Sequence, residues 1–224
     1  MGPKTFLKIC GITNIDDVRL VSASGADYCG ILVDVSFSER SLTLHQAFEV
    51  AMESTIPTVI LLCDPNMKKA VEVAEAIQPF AIQLLCYESP GFVKELRDLI
   101  TCQIWKTIHL PIVPGQSTPE DYAAAGANAL LVDSIDESEG FLRIGGTGKT
   151  TDWKASAYVV KSVSIPVFLA GGIFPENIQE AIAQVNPYGI DLCSGVEASK
   201  GKKDPEKLQR LVKNLKSAIK PIRS

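Results

Sequence analysis

The chain has no run of 18 or more apolar residues of the kind a membrane-crossing helix needs, so no membrane span is expected. It also lacks a basic excess. Its 22 Lys and Arg against 26 Asp and Glu give a net charge of −4, which argues against a nucleic-acid partner. Six cysteines occur, at 10, 29, 63, 86, 102 and 193, but never as C-x-x-C, and zinc sites and disulfide frameworks normally show tighter spacing. The expectation is a reduced, cytoplasmic protein in which most cysteines pack as small hydrophobes. There are two histidines. His45 falls in a helical stretch, and His109 reads as the start of a loop without acidic company, so no metal is assigned. Met1-Gly2-Pro3-Lys4 leads directly into Phe6–Ile9, with no secretory signal to be read there. Phe6 stands where a myristoylation signal wants Ser or Thr. No low-complexity linker or shift in composition divides the sequence, so residues 1–224 are read as a single domain.

What is present is a regular alternation. Strands are predicted at Thr5–Ile9, Tyr28–Val33, Thr58–Leu62, Phe80–Leu85, Cys102–Ile108, Asn128–Asp133, Pro166–Ala170 and Gly189–Cys193. Helices are predicted at Asn14–Ser24, Thr43–Glu53, Met67–Ile77, Gly91–Ile100, from Thr118, around Lys154–Ser162, at Pro175–Gln184 and at Asp204–Ser217. Near-continuous apolar strands such as Thr58-Val59-Ile60-Leu61-Leu62 suit a parallel sheet buried on both faces. Eight such units in 224 residues predict a closed (β/α)8 barrel rather than an open sheet. Ser24-Gly25-Ala26-Asp27 and Ala125-Gly126-Ala127-Asn128 read as equivalent turns from helix to strand, with glycine as the cap.

In this fold the chemistry sits where strands run into the following loops, and phosphate often binds after the seventh and eighth strands. Cys10 ends the first strand, Arg40 lies in the second loop and Gln83 is on the fourth strand. Asp133 closes the apolar sixth strand. The glycine-bearing loops that follow strands six, seven and eight contain Gly146, Thr147 and Gly148, then Gly171 and Gly172, then Ser194 and Gly195. Glycines let backbone amides approach an anion, so these seven residues are the candidate phosphate cradle. Gly148-Lys149-Thr150 is not the end of a nucleotide-binding P-loop, because Arg143 stands where that motif requires its first glycine. An acid beside an anion cradle points to an enzyme acting on a phosphorylated small molecule. Cys10 reads either as packing or as a base or nucleophile, and Arg40 either as a solvated charge or as a carboxylate clamp.

The sequence resembles the phosphoribosylanthranilate isomerase family. The resemblance is carried by Lys8-Ile9-Cys10-Gly11-Ile12-Thr13, Leu131-Val132-Asp133-Ser134, Gly145-Gly146-Thr147-Gly148-Lys149-Thr150, Ala170-Gly171-Gly172-Ile173 and Asp191-Leu192-Cys193-Ser194-Gly195-Val196-Glu197. It implies an Amadori rearrangement of N-(5-phosphoribosyl)anthranilate in tryptophan biosynthesis, with Cys10 as general base, Asp133 as general acid and no cofactor. Arg40 and Gln83 would then bind substrate, in a monomer or homodimer. Two short motifs depart from the family pattern. Gln83-Leu84-Leu85-Cys86 stands for Gln-Leu-His-Gly, and Ser38-Glu39-Arg40 for Ser-Pro-Arg. The first removes a polar group from the mouth, and the second adds a negative charge there. Two other readings stay open: a related barrel acting on another aminoaldose phosphate, and a catalytically silent binding barrel.

Overall fold

The computed structural model describes residues 4–112, 116–136, 143–144 and 152–218. Eight parallel strands form its core: β1 (Phe6–Ile9), β2 (Tyr28–Val33), β3 (Thr58–Leu62), β4 (Ala81–Leu84), β5 (Gln103–Leu110), β6 (Ala129–Asp136), β7 (Val167–Leu169) and β8 (Gly189–Leu192). Each pairs with the next, and β8 pairs with β1 from Phe6 opposite Gly189 to Ile9 opposite Leu192. The sheet therefore closes on itself as a (β/α)8 barrel. Eight helices alternate with the strands, from Ile15–Ser24 to Pro205–Ala218.

The strands read as unbroken apolar runs because both of their faces are covered. Val59 and Leu61 point inward to meet Leu131 and Trp105, whereas Ile60 and Leu62 join the layer between strands and helices. Helix starts follow local chemistry. Asn14, Asn66 and Ser89 each accept the backbone N–H three residues on, and Thr43 and Thr118 form full capping boxes. The two glycine turns are equivalent, as the sequence suggests. Asp27 donates its N–H to the Leu7 carbonyl and accepts the Leu7 N–H in return through its carboxylate; Asn128 pairs with Ile104 in the same way through its side-chain amide oxygen.

The floor of the barrel is aromatic. Phe6 stacks on Tyr188 with ring centroids 4.6 Å apart, Trp105 stacks on Phe168 at 4.8 Å, and Tyr28 sets its edge against both Trp105 and Phe168. Trp105 and Phe168 are almost wholly buried.

Three expectations need correction. Strand β6 does not stop at Asp133 but runs on to Asp136, because Ser134 still pairs with Leu110 and the chain then meets Arg143–Ile144 in an antiparallel pair. His109 is inside β5, opposite Asp133, rather than in a loop. Cys63 and Cys86 are joined by a disulfide. Their separation of 23 residues hides the fact that β3 and β4 are neighbours in register, with Leu62 opposite Leu84, so both cysteines emerge at one edge of the mouth.

Candidate active site

One pocket opens at the C-terminal mouth of the barrel, lined among others by Cys10, Arg40, Gln83, Asp133, Gly171, Gly172, Ser194 and Gly195. Every candidate site residue among those described thus meets in a single cavity. Gly146, Thr147 and Gly148 lie outside the described residues.

Cys10 faces inward from the end of β1, two residues after Lys8. A side chain on Gly30 would crowd both closer than van der Waals contact: its Cβ would lie 2.9 Å from Cys10 Sγ and 3.1 Å from Lys8 Nζ. The absence of that side chain is what lets thiol and ammonium converge. Lys8 is wholly buried and pairs with Asp191 directly across β1 and β8, Nζ to Oδ2 at 2.9 Å. Burial works against the Lys8 charge, but the Asp191 carboxylate and Cys10 together more than offset it and hold the ammonium above its usual pKa. Burial likewise pushes the Cys10 thiol up, and Lys8 pulls it back only in part. The other carboxylate oxygen of Asp191, Oδ1, is buried without a hydrogen-bond partner among the described residues.

Asp133 stands across the mouth on β6. Removal from water raises its carboxyl to about 7, even though the Ser134 N–H donates to Oδ1 at 2.7 Å. A carboxylic acid that stays protonated up to neutrality can donate a proton there. Gln83 donates through Nε2 to Thr107 Oγ1 at 3.0 Å, and its Oε1 is buried without a partner among the described residues. In a pocket wall, such an orphan acceptor invites a ligand hydroxyl.

Arg40 is held rather than loose. Its guanidinium grips Glu197 with two N–H groups, and Lys203 Nζ reaches the same carboxylate at 3.0 Å. Burial works against the Glu197 charge, yet the two cations bring its carboxyl down to about 2. Glu39, the extra negative charge at the rim, points mainly to solvent and pairs with Lys200. Leu85 is buried against the pocket, and its carbonyl oxygen lies 2.8 Å from His109 Nε2. Burial lowers the His109 imidazole to about 4, so it is neutral at physiological pH.

The candidate anion cradle presents backbone. Gly171 and Gly172 have φ of 79° and 63°, a region that suits glycine. A Cβ on Gly195 would come within 2.1 Å of the Ile173 carbonyl oxygen. None of the amides of Gly171, Gly172, Ser194 and Gly195 donates to a partner among the described residues. The group among the described residues with three closely spaced metal-ligating atoms, Cys63, Asp64 and Cys86, has its two sulfurs bonded to each other.

Lys8, Asp191, Glu197 and Phe37, an exposed aromatic on the rim, were not singled out from sequence. The first two carried a signal: a charge within an apolar strand buried on both faces must find a partner.

Comparison with known proteins agrees with this geometry. The family model described as N-(5'-phosphoribosyl)anthranilate isomerase matches residues 7–214. The N-(5'-phosphoribosyl)anthranilate isomerase of Methanocella arvoryzae is 35% identical over 215 residues, covering 95% of this chain and 98% of its own. The crystal structure of the phosphoribosyl anthranilate isomerase from Thermus thermophilus superposes with a TM-score of 0.79 at 29% identity, over 95% of this chain and 99% of that one. A phosphoribosyl anthranilate isomerase solved with reduced 1-(o-carboxyphenylamino)-1-deoxyribulose 5-phosphate superposes with a TM-score of 0.75 at 26% identity, again over 95% and 99% of the two chains. The chain belongs to the N-(5'-phosphoribosyl)anthranilate isomerase family, enzymes of tryptophan biosynthesis.

Proposed function

We propose that the protein converts N-(5'-phosphoribosyl)anthranilate to 1-(2-carboxyphenylamino)-1-deoxyribulose 5-phosphate, with Asp133 as general acid and Cys10 as general base. The observation that carries this reading is the opposition of the two groups across one pocket. Asp133 has a carboxyl pKa brought to about 7, and Cys10 has a thiol facing a buried ammonium.

Protonated Asp133 gives its proton to the ribose ring oxygen as the C1–O bond breaks, and the anthranilate nitrogen supplies electrons to form an iminium. The Cys10 thiolate, steadied by Lys8, takes the C2 proton. The resulting enol-amine tautomerises to the ketone. The rearrangement is redox-neutral, so no cofactor is called for. Groups with separated pKa values can divide acid and base work in this way.

The amides of Gly171, Gly172, Ser194 and Gly195 would hold the phosphate, joined by the loop of Gly146, Thr147 and Gly148. Gln83 Oε1 and Asp191 Oδ1 would accept from substrate hydroxyls. The edge of Arg40 left after its grip on Glu197 would meet the anthranilate carboxylate, and Phe37 offers a ring at the rim for the anthranilate ring.

The test follows the loss of phosphoribosylanthranilate fluorescence on adding purified protein. Turnover well above spontaneous breakdown supports the reading. No turnover in a folded, phosphate-binding protein overturns it. That result would favour a related barrel acting on another aminoaldose phosphate, for which Leu85 in place of a histidine in the pocket wall is the specific reason.

A further inference from the structure

The Cys63–Cys86 disulfide takes no part in the chemistry set out above, yet it staples two walls of the pocket at their rim. Cys63 is the first residue after β3, and Cys86 lies two residues after β4. Leu61, Gln83 and Leu85, on the same two segments, line the cavity.

Three observations bear on what this bond does. First, its ends differ in access. Cys63 is partly exposed beside the exposed Asp64, whereas Cys86 is 1% exposed, so an external thiol can reach only the Cys63 sulfur. Second, the reduced state has a place to go: Asp64 Oδ2 lies 3.8 Å from Cys63 Sγ, positioned to accept from a thiol. Third, the backbone at Cys86 is tied into the pocket wall. Lys106 Nζ donates to the Cys86 carbonyl oxygen at 2.5 Å, and Leu85 O lies against His109 Nε2. Glu88 Oε1 accepts both the Cys86 and the Asp64 N–H groups, bridging the same two loops as the disulfide.

We propose that Cys63–Cys86 is a reversible dithiol–disulfide couple that sets how firmly the β3 and β4 walls of the pocket are held, and so tunes substrate binding. The reductant is a dithiol. Its thiolate attacks Cys63 Sγ, the Cys63–Cys86 bond breaks, and the Cys86 thiolate leaves and takes up a proton. The second thiol of the reductant then resolves the mixed disulfide, releasing Cys63 as a thiol that donates to Asp64. The disulfide gains two electrons and two protons, and the dithiol becomes a cyclic disulfide. The kinetic part of this proposal rests on the isomerase reading; the thiol chemistry does not.

The experiment compares oxidised protein, protein reduced with dithiothreitol, and Cys63→Ala, whose changed side chain is not buried in the core. Alkylation and intact mass should count two more thiols in reduced than in oxidised wild type. KM for phosphoribosylanthranilate should rise roughly three- to tenfold on reduction with kcat within about twofold, the pattern of lost binding rather than lost chemistry. Cys63→Ala should hold the reduced value under both conditions. A thiol count that does not change by two overturns the proposal, as does equal KM in two forms whose thiol counts differ by two. If neither form turns over, the isomerase reading is what fails, and amide hydrogen exchange in residues 84–89 decides the couple. Faster exchange on reduction supports it, and unchanged exchange overturns it.

Discussion

Arg40 and Glu197 are locked fork to fork, Nε at 2.8 Å from Oε1 and Nη2 at 2.6 Å from Oε2, across the loops that follow β2 and β8. The residue read from the sequence as a candidate carboxylate clamp is thus already holding one of the protein's own carboxylates. Glu197 fixes the plane of the guanidinium and leaves its other edge to the pocket, which is positioning of the kind a specific clamp needs. Arg40→Lys should keep the charge but lose the fork, raising KM about tenfold with a smaller change in kcat. Steady-state kinetics read this, and an unchanged KM would return Arg40 to a purely structural role. Glu197→Gln leaves buried Lys203 and half-buried Arg40 without their carboxylate and should cost about 3–5 kcal/mol in a urea titration.

Cys10→Ala and Asp133→Asn should each lower kcat by about 10²–10⁴-fold, the usual worth of one general acid or base, while leaving KM close to wild type. Near-normal kcat in either variant would remove that residue from the mechanism.

The pH profile should show both groups in the less common protonation states. Asp133 titrates at about 7, and the Cys10 thiol is held above its ordinary value, so the productive pairing of acid and thiolate is always a minor fraction. That fraction grows as pH rises to about 7, stays level until the thiol titrates, and then falls as both groups lose their protons. kcat/KM measured from pH 5 to 10 should follow this course. A profile already falling at pH 7 would mean that Cys10 ionises below Asp133.

Stability should carry the mark of the same carboxyl. The Asp133 pKa is raised in the folded state from 3.8 to about 7, so its contribution is fully present below 3.8 and is lost as pH rises through about 7. Asp133→Asn, which cannot ionise, should therefore gain stability relative to wild type between pH 4 and pH 8 in paired urea titrations. Glu197 works in the opposite direction. Its pKa is lowered from 4.5 to about 2, so its contribution is present above 4.5 and is lost as pH falls through about 2.

Gly195→Ala should be costly for a steric reason as well as for its place in the candidate phosphate cradle. The added methyl carbon would sit 2.1 Å from the Ile173 carbonyl oxygen, so one backbone must shift, at about 1–3 kcal/mol. A lower Tm together with weaker inhibition by inorganic phosphate would tie the strain to the anion cradle. A wild-type phosphate affinity would separate the two.

The barrel was legible because burial on both faces leaves apolar runs at regular spacing, and a capping residue such as Thr43 marks where a helix begins. Cys10, Arg40, Gln83 and Asp133 were legible as polar or reactive side chains at strand ends, and all four line one pocket. What was hidden depends on register. Lys8 and Asp191 are 183 residues apart and become partners only when β1 lies beside β8. Cys63 and Cys86 meet for the same reason. Asp133 could not be read as lying inside a strand, because Ser134-Ile135-Asp136 is held extended by its neighbours rather than by its own apolarity.

The aromatic floor of Phe6, Tyr28, Trp105, Phe168 and Tyr188 makes the barrel a dead end. Traffic to the site is two-way through one mouth, so each spent molecule must back out before the next can enter. Accumulated product therefore competes for the same doorway as fresh substrate, and throughput at high product falls by occupancy rather than by any change in the chemistry.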